Sequence, residues 1–180
     1  MIMNAKQAEL NAVLSAAKAM CAAARTAPKT QGKDYLETCI VTGEEMECLA
    51  QRMEELGAAT GAAFLTRDAG CVRRSQAVVL LGVKNEYHGL NGLCRYCNQA
   101  DCAGCAAVNG ICVYAPVDLG IAVGSAVSVA EDLRIDCRVM FSAGRSAMDL
   151  HYLPEGYGMV LGIPLSVSGK SPYFDRKKST

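Results

Sequence analysis

Between Leu93 and Cys112 the chain reads LCRYCNQADCAGCAAVNGIC, and five of its ten cysteines fall in that stretch. Thiolates at such spacing bind metals. A C-x-x-C pair lets one backbone turn point two sulfurs at a common centre, and iron–sulfur clusters and structural zinc ions are usually held by four ligands. Cys94 and Cys97 form one pair, and two sets of four are then available. Cys94, Cys97, Cys102 and Cys112 have three close ligands and a remote one, as cubane-binding segments often do. Cys94, Cys97, Cys102 and Cys105 make two C-x-x-C pairs of the kind that hold zinc.

Two considerations favour Cys112 over Cys105. The residues after Asp101 read as a helix start, so only one of Cys102 and Cys105 need face the centre. Cys112 closes a turn at Gly110 beside Ile111, Val113 and Tyr114, which would shield a cluster from water. Spacing alone leaves iron–sulfur and zinc close. Unliganded thiols are the plainest reading, but five in a short loop among Gly and Asn speak against it.

The rest of the chain must fold around this segment and hold it. With 180 residues it can bury one core without staples. Eighteen basic residues balance eighteen acidic ones, so no net field draws nucleic acid or an anionic membrane surface. Lys6, Gln7, Glu9, Asn11 and Lys18 interrupt the N-terminal apolar residues at helical spacing, unlike a signal peptide. The run AVVLLGV is too short to span a bilayer. These features predict a cytoplasmic protein, where thiols stay reduced and disulfides do not explain the cysteines. Cys21, Cys39, Cys48, Cys71 and Cys137 stand mostly among apolar neighbours and are expected to be small buried hydrophobes.

Leu10, Val13, Leu14, Ala17, Met20, Cys21 and Ala24 share one face of a helix predicted from about Met3 to Ala24, which RTAP ends. TCIVTG predicts a strand. Thr42 and Glu45 have the spacing of a capping box, before a helix striped by Met46, Leu49, Ala50, Met53 and Leu56 and stopped at Gly57. Phe64 and Leu65 suggest a short strand, with a turn of helix from Asp68. QAVVLLGVK is a near-continuous apolar run with β-branched residues, the mark of a buried central strand.

The cysteine segment, taken as 88–116, follows that strand. Pro116 and Asp118 then open a helix in which Gly120, Gly124 and Ser128 recur every fourth residue. Each helical glycine costs about 1 kcal/mol against alanine, so another backbone is expected to approach there. CRVMFS reads as a strand, RSAMDLHYL as a short helix and GYGMVLGIPLSVS as the final strand. The order predicts one domain over 1–180, a sandwich of helices on a central sheet with the cysteine segment inserted.

Other chemistry is sparse. Of the two histidines, His88 is expected at the surface, with a donor to a cluster sulfur as the sharper alternative. His151 is expected at the edge of the core. Ser142, Gly144, Arg145 and Ser146 in SAGRSAM have types that bind an anion at a helix N-terminus, although an ordinary strand-to-helix turn explains them as well. The sequence holds no Ser–His–Asp arrangement or P-loop pattern.

The blocks AARTAPK, VTGEEMECLAQRMEELG, RDAGCVRRSQAVVLLGVK, GLNGLCRYCNQADC, DLGIAVGSAVSVAEDL and LGIPLSVSGKSPYFDR stand in an order that resembles the ferredoxin-domain-containing proteins of unknown function. The resemblance covers nearly the whole chain. It implies a four-cysteine iron–sulfur segment and selects Cys94, Cys97, Cys102 and Cys112, leaving Cys105 as an extra thiol or alternative ligand. A second resemblance is to the flavin-binding nitroreductases. AARTAPK is similar to the helix end and loop that flank their flavin, and LPEGYGMVLGIPLSVSGK to their last core strand. This implies a nitroreductase-like α+β fold with a central mixed or antiparallel sheet, and a homodimer with FMN at the subunit interface. Arg25 and Lys29 become flavin contacts by this analogy, with Lys170 and Arg176 near the phosphate. Two features depart from it: the chain starts directly with its first helix, and KTQGKD lacks the usual ring-binding Asn. Arg25 also suits the C-terminus of its own helix.

The function expected from these readings is redox work in the cytoplasm of an anaerobe. The protein would be an oxidoreductase or electron carrier with a 4Fe–4S cluster, FMN at a dimer interface, and a redox partner or small-molecule donor or acceptor. One alternative is a non-enzymatic module in which zinc or a cluster only structures the loop. Another is an iron–sulfur sensor whose cluster loss reorders that loop.

Overall fold

The structure is a computed structural model and describes residues 2–174. Four strands form one antiparallel sheet in the spatial order β1 (Leu36–Val41), β2 (Ala77–Lys84), β4 (Tyr157–Ser166) and β3 (Asp136–Cys137). Both faces of this sheet are covered, which is why the run at 77–84 carries apolar residues at consecutive positions. Ala77, Val79, Leu81 and Val83 enter the core on one face, while Val78 and Leu80 enter it on the other. Fully burying a leucine or valine contributes about 1.5–3 kcal/mol, so this strand anchors both halves of the molecule.

On the first face α1 (Ala5–Thr26) packs against α6 (Tyr114–Asp132), with Ala16, Ala17, Ala24, Ala122, Ala126 and Ala130 fully buried. Small side chains here let the two helices and the sheet approach closely. The second face carries α2 (Glu44–Thr60), α3 (Ala63–Arg73) and α7 (Phe141–Asp149). The cysteine segment between β2 and α6 holds two short helices, α4 (Asn91–Cys94) and α5 (Cys102–Ala107).

Several local expectations are corrected. Gly43 precedes α2 and no side chain caps that helix, so Thr42 and Glu45 do not form a capping box. Gly57 does not stop α2 but lies inside it. A β-carbon there would stand 3.0 Å from Thr66 Oγ1 and 3.3 Å from Leu65 Cβ, so the glycine admits α3 instead. The helix ends at Gly61, whose φ of 70° is the left-handed conformation that terminates helices. Phe64 and Leu65 belong to α3 rather than to a strand. CRVMFS is not one strand: β3 ends at Cys137, Met140 makes a lone antiparallel bridge to Gly162, and α7 begins at Phe141.

The α7 backbone lies directly on β4. A β-carbon at Gly144 would fall 1.9 Å from Val160 O, and one at Gly162 would fall 2.7 Å from Ala143 Cβ. SAGRSAM is therefore a packing motif. Its Ser142 hydroxyl donates to Asp68 Oδ2 at 2.7 Å and its Arg145 pairs with Asp149. On α6 no heavy atom of the described residues comes within 4 Å of a β-carbon built at Gly120 or Gly124, so the expected close approach of another backbone is not made there. Of the scattered cysteines only Cys71 is buried; Cys21, Cys39 and Cys137 are half-buried and Cys48 is exposed. His151 is exposed, with a φ of 55° just beyond α7.

Candidate metal centre in the cysteine segment

The segment turns sharply because its sequence permits left-handed residues. Among the described residues, four of the seven non-glycine residues with positive φ lie in it: Asn91, Arg95, Asn98 and Asn109. Asparagine tolerates that conformation better than most residues. Arg95, with φ 50°, reverses the chain directly after Cys94. Asp101 caps α5 by accepting from Gly104 N at 2.7 Å, and that helix carries Cys102 and Cys105 one turn apart. Residues three apart share a helix face.

The result is convergence. Cys94, Cys97, Cys102, Cys105 and Cys112 all line one cavity of about 20 Å³, which Tyr87, His88, Val113 and Tyr114 help to close. Cys105 and Cys112 are buried and the other three are half-buried. Both thiols of α5 thus reach the wall. Gly110 makes room for the second: a β-carbon there would stand 2.9 Å from Cys105 Sγ. Burial, a hydrogen bond with the Cys97 thiol, and the neighbouring Cys112 and Cys102 push the Cys105 thiol above its ordinary pKa. Tyr96 N donates to Cys94 Sγ at 3.4 Å.

The loop is pinned to the sandwich beside Cys112. Asn85 Nδ2 and the Tyr87 hydroxyl both donate to Gly110 O, at 3.0 and 2.9 Å, and Cys112 N donates to Asn85 Oδ1 at 2.9 Å. His88 is buried rather than at the surface, 3% exposed, with Nδ1 3.6 Å from Cys112 Sγ and Nε2 3.6 Å from Asp118 Oδ2. Lys33 Nζ donates to the His88 carbonyl at 3.1 Å. Sequence reasoning passed over Asp118 and Thr30 here. Asp118 carried a signal, as the lone charge in the apolar stretch from Val113 to Ala130.

As a donor set the five thiols fit a metal or cluster. Among the described residues, no three His, Cys, Asp or Glu side chains converge on one point as a bound ion would hold them. The cavity has the volume of about one water.

Arg25 and Lys29 stand together beside Asp34. Arg25 donates to Asp34 Oδ2 and Glu37 Oε1, each at 2.8 Å, and to Leu36 O at 2.7 Å. Lys29 folds back onto the carbonyls of Arg25 and Ala27, leaving its side chain 7% exposed. Lys170 is exposed beyond β4, and Arg176 lies outside the described residues. Among the described residues, no helix is long and apolar enough to cross a membrane.

Residues 108–176 match the profile of a family described as uncharacterized protein containing a ferredoxin domain (DUF2148). The matched part takes in Cys112 and leaves Cys94, Cys97, Cys102 and Cys105 before it. An uncharacterized protein of Archaeoglobus fulgidus is 42% identical over 185 residues, covering 98% of each chain. Among solved structures, a nitroreductase with bound FMN from Bacteroides fragilis superposes with a TM-score of 0.63 at 13% identity. It covers 100% of this chain and 86% of its own. One with bound FMN from Desulfitobacterium hafniense gives 0.60 at 15% identity, covering 87% and 78%. Likeness at that level shows the fold, which is nitroreductase-like and α+β.

Proposed function

Because this chain belongs to the family of uncharacterized proteins containing a ferredoxin domain, we propose that it is a redox protein whose thiol cavity holds an iron–sulfur cluster. The observation that carries this reading is the gathering of Cys94, Cys97, Cys102, Cys105 and Cys112 around one cavity. Four of them, Cys94, Cys97, Cys102 and Cys112, are assigned as ligands of a 4Fe–4S cluster, with Cys105 in reserve. Such a cluster, when bound, supplies one-electron transfer. The chain's own work is to hold the thiolates and keep water away with Val113 and Tyr114, which tunes a cluster's potential. Leu93, Tyr96, Val108 and Ile111 are exposed on the segment and offer an apolar landing for an electron donor or acceptor. We place the protein in the cytoplasm, where ten free thiols stay reduced.

FMN at the interface of a homodimer is the finer half of the proposal. It is supported by the fold shared with two nitroreductases solved with bound FMN. The open face of α6 around Gly120 and Gly124, with Val117 and Ile121 exposed beside it, suits close approach by a second copy. Arg25 and Lys29 do not fit the contact roles drawn by analogy, since both are committed within their own chain.

Oxygen-free protein is expected to be brown, with about four iron and four sulfide per chain. Colourless protein carrying one zinc would overturn the cluster in favour of structural zinc on the two C-x-x-C pairs, all four of whose thiols also line the cavity. A yellow chromophore that survives gel filtration after reconstitution with excess FMN supports the flavin. Flavin-free protein removes it.

A further inference from the structure

Beside the cysteine cavity lies a buried imidazole–carboxylate pair that the proposed function does not use. His88 and Asp118 are each 3% exposed. Burying such groups costs several kcal/mol unless partners compensate, so the pair needs a reason to be there. Asp118 is compensated. Thr30 N donates to both carboxylate oxygens, at 3.0 and 3.1 Å, and Thr30 Oγ1 donates to Oδ1 at 2.8 Å. His88 is compensated less fully. Its Nε2 faces Asp118 Oδ2 at 3.6 Å without a hydrogen-bond partner, and its Nδ1 stands 3.6 Å from Cys112 Sγ. The rings of Tyr35 and Tyr114 flank the imidazole edge-on, with centroids 5.6 and 5.7 Å away.

We propose that His88 is a positioning residue for Cys112: it fixes the direction of that sulfur toward the cavity, and Asp118, pinned by Thr30, fixes His88. The inference rests on the reading of the cavity as a metal centre. A buried carboxylate favours the ring N–H that points at it, so Nε2–H turns to Asp118 and Nδ1 is left as an acceptor for the Cys112 S–H, which aims that sulfur before any metal binds. The flanking tyrosines leave the ring little room to swing away. Cys105 is differently placed, for its sulfur sits against Gly110 and among the other thiols. Of the two residues competing to be the fourth ligand, Cys112 is the one beside this polar chain. The chain also reaches from the cysteine segment to the loop after α1, so Thr30 acts on Cys112 through two intermediates.

The test uses the full chain, purified without oxygen and reconstituted with ferrous iron and sulfide, as wild type, His88→Gln, Asp118→Asn and the double variant. Three quantities are read: the rate of iron loss to a chelator, the electron paramagnetic resonance spectrum of the reduced protein, and its midpoint potential. Each single variant should lose iron on the order of tenfold faster and shift the spectrum and potential in the same direction. The double variant should be no worse than His88→Gln, because Asp118 acts through His88. Wild-type release and spectrum in either single variant would overturn the positioning role, as would additive losses in the double. Should His88→Gln fail to fold, Asp118→Asn keeps the side-chain shape and an acceptor oxygen for Thr30, and decides alone. Wild-type protein that takes up neither iron nor sulfide overturns the cluster reading itself, and the positioning role falls with it.

Discussion

In the sandwich, Leu80, Leu81, Ile163 and Leu165 are fully buried, whereas in the cysteine segment Leu93 is 88% and Tyr96 72% exposed. The first region is held by apolar burial on both faces of a sheet. The second has two short helices, a cluster of left-handed residues and a few side-chain bonds to backbone, those of Asn85, Tyr87 and Asp101 among them. Under the proposed function, a segment so thinly held depends on what its thiols bind, while the sandwich does not. The two should therefore fail separately.

The severest test of that separation is Gly144→Ala. Its new methyl would meet the β4 backbone, which cannot give way as a flexible side chain would, so α7 must lift from the sheet. The expected loss is on the order of 3 kcal/mol or more in urea unfolding. Leu80→Ala comes next, at about 2–5 kcal/mol, and folded protein should still load iron to the wild-type ratio. Iron uptake lost from still-folded Leu80→Ala protein would show that the regions are coupled.

The cysteine variants probe from the other side. Cys112→Ser should abolish cluster assembly while moving the melting of metal-free protein by less than about 1 kcal/mol, and Cys105→Ser should leave assembly largely intact. Metal analysis and thermal unfolding of both variants decide this, and the reverse order of effects would exchange the assigned ligand.

The smallest expected effect is at Asp149. Burial pushes its pKa up, but Arg52 and Arg145 outweigh that and hold it below the ordinary carboxylate value. A depressed folded pKa contributes stability that is present above the unfolded pKa and lost as pH falls through the folded one. Asp149→Asn should therefore remove up to about 1 kcal/mol at neutral pH and flatten the acid-side decline in melting temperature, with iron uptake unchanged.

How much of this was legible in the chain varied with range. The buried strand at 77–84 follows from its unbroken apolar run and the core face of α1 from its period, because both are patterns of neighbouring residues. Gly57 was misread as a stop. Its job is set by Thr66 and Leu65 packing onto it, which a local glycine rule does not contain. The Phe64–Leu65 pair was too short for its period to separate strand from helix. The left-handed turns of the cysteine segment were signalled by Asn91, Asn98 and Asn109, yet the signal says only that the chain turns, not toward what.

By itself the sequence determined the sandwich and the presence of a thiol-rich insert, since apolar period and cysteine spacing are local properties. Only the tertiary structure decided that Cys105 shares the wall with the other four, because Gly110 had to fold back over it. It also decided that His88 is buried between Cys112 and Asp118. Those residues lie 24 and 30 positions away in the chain, and the loop, β2 and α6 must all be in place before an imidazole can stand between a sulfur and a carboxylate.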